Sequence, residues 1–188
     1  MAISTADFRN GMCIEYNNKL CTIVEFQHVK PGKGGAFVRT KLRDIKTGRV
    51  VDYTFNAGTK FDSVRLETKK MQFLYSDGTD FNFMDMSSFE QLSIPAETVG
   101  SAANWLKEND EATLMYAGDE LISIEPPMFV ELEVTETEPG FKGDTATNVT
   151  KPATVETGAE IKVPLFINEG DKIVIDTRTG EYLERAKG

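Results

Sequence analysis

Val29-Lys30-Pro31-Gly32-Lys33-Gly34-Gly35-Ala36-Phe37 separates two runs rich in β-branched and aromatic residues, 19–27 before it and 37–45 after it. Two such runs joined by a Gly/Pro segment read as a β-hairpin with an extended tip. Pro31 fixes its own φ and has no amide N–H, while Gly32, Gly34 and Gly35 tolerate backbone angles closed to other residues. Between them stands one long cation, Lys33. A tip limb of about four residues projects roughly 13 Å beyond the last ladder pair. Lys33 is therefore expected at the end of a slim finger, suited to entering a narrow site in another molecule. A Gly-Lys-Gly turn is also an ordinary exposed turn, so the spacing alone does not decide between the two. Nucleotide-binding loops are excluded. A Walker loop needs Gly where Gln27 stands and Ser or Thr where Gly34 stands. The dinucleotide fingerprint fails at Phe37, which occupies the place of the third Gly.

Working outward, residues 11–16 and 19–27 form a first hairpin around Asn17-Asn18. Residues 36–45, a Lys46-Thr47-Gly48 turn and 49–55 follow. About five short strands by residue 66 predict a small SH3-like (KOW-like) barrel over 1–64. Phe37, Val38, Thr40 and Leu42 alternate with Arg39, Lys41 and Arg43, giving one apolar and one basic face. With Lys30, that basic face is either a phosphate track leading back from the finger or a solvated strand protected from aggregation. The hairpin register sets Cys13 opposite Thr22 and Ile14 opposite Cys21, which puts the two thiols on opposite faces and predicts no disulfide. The Cys spacing fits no metal or redox motif, and His28 is the sole histidine. Neither a metal site nor Ser/His chemistry is expected.

The next segment reads as strands at 71–75, 80–86, 112–116 and 120–125, with one helix from Ala96 to about Asn109 opened by Pro95. Val99, Ala102, Ala103 and Leu106 form its apolar face, and Trp105 reads as a core or interdomain anchor. Four such strands with one inserted helix fit an OB-type barrel, which has five strands and is expected over 65–127. Pro126-Pro127 stiffens the chain and marks a boundary. Strands at 129–135, 153–157, 160–167 and 172–176, and another at 182–184, predict a second OB-like barrel over 128–188. The fold class is thus all-β: three consecutive small β-barrels in an elongated molecule.

The 188 residues carry a net charge of −9 and are 40% hydrophobic, with no apolar run long enough for a membrane span and no signal-peptide pattern. A cytoplasmic location is expected. Charge is unevenly placed: residues 1–64 carry net +4, 65–127 net −8 and 128–188 net −5. One basic end on an acidic body suggests docking onto a polyanion with that end leading.

The finger resembles the tip of the bacterial elongation factor P family. So do Thr157-Gly158-Ala159, Val163-Pro164-Leu165-Phe166, Gly170-Asp171 and the run from Asp176 through Thr177-Arg178-Thr179-Gly180-Glu181 to Tyr182. Phe89-Glu90-Gln91-Leu92, Pro126-Pro127, Phe129-Val130-Glu131-Leu132 and Gly143-Asp144-Thr145-Ala146 match in the same order. The resemblance implies a three-barrel, L-shaped protein without enzymatic activity or cofactor. Such a protein binds the ribosome between the peptidyl and exit sites, beside peptidyl-tRNA, and relieves stalling at consecutive prolines. It implies Lys33 as the residue reaching the tRNA CCA end. Lys33 would also be the modification site for a lysine-modifying enzyme such as a lysyl-tRNA-synthetase-like ligase. Gly143, Asp144 and Thr145 would lie near the exit-site codon, Tyr182 and Arg185 near the small subunit and the tRNA anticodon arm. A monomer without membrane association is expected. Lys at the tip departs from the branch that modifies Arg, and Gly35 departs from members with a bulkier residue there. The rival readings are a generic single-stranded nucleic-acid binder built on OB barrels and an enzyme using Lys33 as a Schiff-base nucleophile. The second lacks the shelter or neighbouring cation such a lysine needs.

Overall fold

The two asparagines of the first hairpin, Asn17 and Asn18, take φ of 51° and 58°, the pair of left-handed residues that a tight β-turn between twisted strands requires. They join β2 (Cys13–Tyr16) to β3 (Lys19–Val29), and the ladder pairs Cys13 with Thr22 and Ile14 with Cys21 as the sequence predicts. The structure, a computed structural model, describes residues 1–140 and 149–187. β3 pairs with β4 (Phe37–Asp44), and β4 with β5 (Val50–Asn56). A bulge between Ile23 and Glu25 bends β3 and increases the local twist. β1 (Ala2–Ser4) and β6 (Lys60–Asp62) pair as a two-stranded ribbon. The alternation along β4 buries Val38, Thr40 and Leu42 and exposes Arg39, Lys41 and Arg43. With Phe8, Ile14, Cys21, Ile23, Phe55 and Phe61, Val38 and Leu42 make the core.

The second sheet has the order β11-β10-β7-β8-β9. Its strands are β7 (Leu66–Ser76), β8 (Asp80–Asp85), β9 (Gln91–Pro95), β10 (Glu111–Ala117) and β11 (Glu120–Glu125). The third has the order β14-β13-β12-β15-β16, built from β12 (Phe129–Thr137), β13 (Thr150–Val155), β14 (Glu160–Pro164), β15 (Lys172–Asp176) and β16 (Glu181–Arg185). The class is all-β, as expected. By contacts the chain forms two compact units, Met1–Thr68 with Met115–Ser123 and Lys69–Leu114 with Ile124–Gly188. The connectors between β6 and β7 and between β11 and β12 fall at 63–65 and 126–128.

One expectation is corrected. The helix predicted from Ala96 to about Asn109 is a single α-helical turn, α1 (Ala96–Val99), continued by a 3-10 turn over Gly100–Asn104. Gly100 takes φ 63° and ψ −135°, a region that other residues enter only with strain, and it ends the α-helix there. The apolar face is still used, because Val99, Ala102 and Leu106 are buried. The ladder of β13 also begins earlier than expected, at Thr150, and contains Pro152. Pro152 lies just beyond Ala153, the last residue of β13 that pairs with β12, so its missing N–H costs no bond on that side.

Within the second unit, the core of Val130, Leu132, Val134, Val155, Val163, Ile167, Ile173 and Ile175 is packed by Trp105 from the connection after α1. Lys107 Nζ donates to the Glu131 carbonyl at 2.8 Å, and the Thr157 hydroxyl donates to the Asn104 carbonyl. The Thr177 hydroxyl donates to the carbonyls of Pro127 and Met128 at 2.7 and 3.1 Å, tying the Pro-Pro segment to the turn after β15. Trp105 is thus the anchor the sequence suggests.

Candidate functional site

The ladder between β3 and β4 ends at Val29 opposite Phe37, leaving residues 30–36 as the finger. Its base is braced on one side only: Phe37 also pairs with Asn56, and the Ala57 N–H donates to the Ala36 carbonyl at 3.0 Å. Lys30 to Gly35 are all exposed. Gly34 alone of the three finger glycines takes a positive φ, 102°. A Cβ on Gly32, Gly34 or Gly35 would meet nothing within 4 Å, so the glycines are not set by crowding. Lys33 forms no hydrogen bond or ion pair with any described residue. An unpaired, exposed ammonium at the far end of a braced hairpin is free to give its charge and three donors to another molecule.

Behind the finger the three basic residues of β4 stand in a row, but the row is not purely basic. Arg39 lies across from Gln27 and Thr54, and its guanidinium sits 5.6 Å from the Phe37 ring centroid. Lys41 lies between Glu25 and Asp52 and pairs with Glu25 at 3.3 Å. Arg43 faces Thr22 and Val50. Arg39 and Arg43 pair with no carboxylate among the described residues. The cross-strand acids are visible only once the register is fixed, which is why the alternation of β4 overstates the positive face.

Tyr182 and Arg185 both lie on β16, but they differ in setting. Tyr182 is half-buried, packs on the core of its barrel, and lines a cavity of about 850 Å³ with Lys151, Lys162 and Glu160. Burial pushes its hydroxyl above the ordinary phenol range. Arg185 is exposed, and its guanidinium donates to Asp171 at 2.8 Å. The Asn168 N–H at 2.9 Å and Arg185 together hold the Asp171 carboxyl below its ordinary value. Gly143, Asp144 and Thr145 lie outside the described residues. Neither Tyr16 nor Tyr53 stands out in the sequence, yet their ring centroids meet at 4.8 Å; only the barrel's closure brings them together.

Both cysteines are free and buried. Burial and the neighbouring Cys21 push the Cys13 thiol up to about 11, far from a reactive thiolate. His28 stands edge-on to the Phe26 ring at 5.6 Å. Among the described residues no cluster of three or more His, Cys, Asp or Glu is placed to hold a metal ion. Among the described residues no helix is long and apolar enough to cross a membrane.

Three family models match in succession. They are described as Elongation factor P (EF-P) KOW-like domain over residues 4–61, Elongation factor P (EF-P) OB domain over 66–124, and Elongation factor P, C-terminal over 130–185. Elongation factor P of Ruminiclostridium cellulolyticum is 58% identical over 185 residues, covering 98% of this chain and 100% of its own. Elongation factor P of Finegoldia magna is 56% identical, covering 97% and 99%. Among solved structures, eukaryotic translation initiation factor 5A from Methanococcus jannaschii aligns with a TM-score of 0.50 and 20% identity. It covers 66% of this chain and 95% of its own. An initiation factor 5A family protein from Naegleria fowleri aligns at 0.53 and 17% identity, covering 66% and 97%. These two support the fold alone. End-to-end identity above half, with the domain models in the same order as the sheets, shows that the chain belongs to the elongation factor P family of translation elongation factors.

Proposed function

We propose that this translation factor binds the ribosome between the peptidyl and exit sites, beside peptidyl-tRNA, and restores peptide-bond formation where consecutive prolines stall it. The observation that carries the reading is the state of Lys33: exposed, unpartnered among the described residues, and set at the tip of a hairpin braced at its base. Proline is a poor attacking amine and bends the nascent chain, so the stalled complex lacks a good reaction geometry. A factor that restrains the CCA end with a cation and its hydrogen bonds lowers the entropic cost of the near-attack arrangement without any acid–base chemistry. Lys33 Nζ takes that role, and Pro31, Gly32, Gly34 and Gly35 keep the finger slim enough to deliver it.

The three family segments function as domains with boundaries at 64 and 127. The first carries the finger and contacts RNA through Lys30, Arg39, Lys41 and Arg43. In the third, Gly143, Asp144 and Thr145 act near the exit-site codon, and Tyr182 and Arg185 near the small subunit and the tRNA. The acidic remainder of the chain limits adventitious RNA binding. The factor acts as a cytoplasmic monomer, and the same exposed ammonium is the substrate of a lysyl-tRNA-synthetase-like ligase. The test is reconstituted translation of messages with and without three consecutive prolines, comparing wild type, Lys33→Ala and Lys33→Arg. Loss of rescue on the proline message alone supports the reading; full rescue by Lys33→Ala overturns it.

A further inference from the structure

β2 and β5 are the outer strands of the four-stranded sheet, and no ladder joins them. Between them opens a cleft of about 650 Å³. Its floor is aromatic. Tyr16 and Tyr53 have ring centroids 4.8 Å apart, Tyr53 and Phe55 4.5 Å, and Phe55 and Phe61 4.7 Å. Phe55 and Phe61 are buried, whereas Tyr53 is 42% exposed. The register explains the difference. Tyr53 lies opposite Thr40, on the core-facing side of β5, but at the edge of the sheet no further strand covers its ring. Tyr16 also meets Phe55 edge-on at 5.2 Å, so the three rings pack against one another as one platform. Around it stand Asn17, Asn18 and Asn56, whose amides both donate and accept, one cation, Lys60, and the carboxylates of Glu15 and Asp62.

An exposed aromatic face ringed by amides is the chemistry that holds an unstacked nucleobase: the ring stacks, and the amides meet the base edge. The carboxylates are acceptor-only and favour base edges that present N–H groups. An apolar ligand would leave this polar rim unpaired. A strand-adding peptide would use the open backbone edge of β5 and have no need of the platform. We propose that the cleft between β2 and β5 binds a single unstacked RNA nucleotide, stacked on Tyr53, its base edge met by Asn17, Asn18 and Asn56 and its phosphate by Lys60. The proposal rests on the ribosome reading for the source of that RNA.

The test uses the full chain, isotopically labelled, titrated by NMR at low salt with an unstructured mixed-sequence heptaribonucleotide. Shifts clustered at Tyr16, Asn17, Asn18, Tyr53, Asn56 and Lys60 are expected. Tyr53→Ala should weaken binding about 5- to 100-fold, the range an aromatic–base stack supplies, and Tyr53→Phe should stay near wild type. Lys60→Ala should lower the salt slope by about 0.7, the loss of one single-strand phosphate contact. Shifts confined to the Arg39, Lys41 and Arg43 face, or unchanged binding by a folded Tyr53→Ala, would overturn the proposal. So would tighter binding of a valine–threonine peptide at the β5 edge. Should Tyr53→Ala fail to fold, Lys60→Ala and Asn18→Ala decide in its place: both binding as wild type overturns the proposal. No ribosome is present, so failure here leaves the Lys33 result standing, and failure of the Lys33 test leaves the cleft standing.

Discussion

A Cβ at Gly180 would stand 3.4 Å from Cζ2 of Trp105: the turn between β15 and β16 closes directly on the one tryptophan in the chain. It is the backbone that requires glycine here, because its φ is 73°, while a Cβ would only touch the ring in ordinary contact. The same turn holds the Arg178 guanidinium on Asp176 and the Thr177 hydroxyl on the Pro127 carbonyl. Gly180→Ala should therefore destabilise the protein by about 1–2 kcal/mol from backbone conformation alone. Trp105→Ala should cost more, about 3 kcal/mol, at the low end for truncating a large core aromatic, since the ring is only partly buried. Denaturant unfolding checks both. In Gly180→Ala the intrinsic fluorescence of Trp105 should shift before global unfolding.

Local chemistry was legible where it is strong. Asn17-Asn18 and the Gly/Pro finger announce themselves, because positive φ and a missing N–H leave few alternatives. The alternation in β4 gives the buried and exposed faces correctly. What escaped the sequence depends on distant partners. β9, Gln-Leu-Ser-Ile-Pro, has only Leu92 and Ile94 to mark it, and Ile94 alone is buried. The apolar spacing from Val99 to Leu106 fits a helix, yet Gly100 turns the backbone away while the same side chains still reach the core. In the finger region, the position of Lys33 was readable. The acids Glu25 and Asp52 beside Lys41 and the meeting of Tyr16 with Tyr53 were not, because both depend on register across three strands or on barrel closure.

Acid should destabilise the fold below the ordinary carboxylate range and not above it. Asp44, Asp77, Asp85, Asp171 and Asp176 all have carboxyls held below the ordinary value of 3.8. In Asp77, Asp85 and Asp44 the leading cause is backbone N–H donation within turns; in Asp176 it is Arg178. A folded value below the unfolded one means the stabilisation is fully present above 3.8 and is lost as pH falls through the folded values. The melting temperature should stay nearly level down to about pH 5 and drop steeply below the carboxylate range. Asp85→Asn should flatten part of that drop, since Asn does not titrate. A melting series in acid checks the sign; a fall already present between neutral pH and about pH 5 would contradict it.

Asp144 and Thr145 have small polar side chains. Changing both to Ala should leave the melting temperature within about a few degrees. Rescue of the proline message should fall, if the two residues engage the ribosome. Full rescue with an unchanged melting curve would remove these residues from the site.

The finger makes a sharper prediction through its glycines. Gly32, Gly34 and Gly35 all have open space where a Cβ would go, but only Gly34 has a positive φ, 102°. If slimness alone mattered, Ala at any of the three would act alike. If the path of the backbone matters, Gly34→Ala must move the chain next to Lys33 out of a conformation that an L side chain rarely adopts, whereas Gly32→Ala and Gly35→Ala need no backbone change. Gly34→Ala should therefore lose most of the rescue of consecutive prolines, approaching Lys33→Ala, while the other two retain more. Stability should barely separate the three. Residues 30–36 lie past the last β3–β4 ladder pair, so relaxing the tip costs no strand bond. Melting temperature, rescue of the proline message and affinity for the ribosome, measured on the same four variants, check this. Equal rescue by the three glycine variants would show that the finger needs only Lys33 and room around it, and not the particular turn at Gly34.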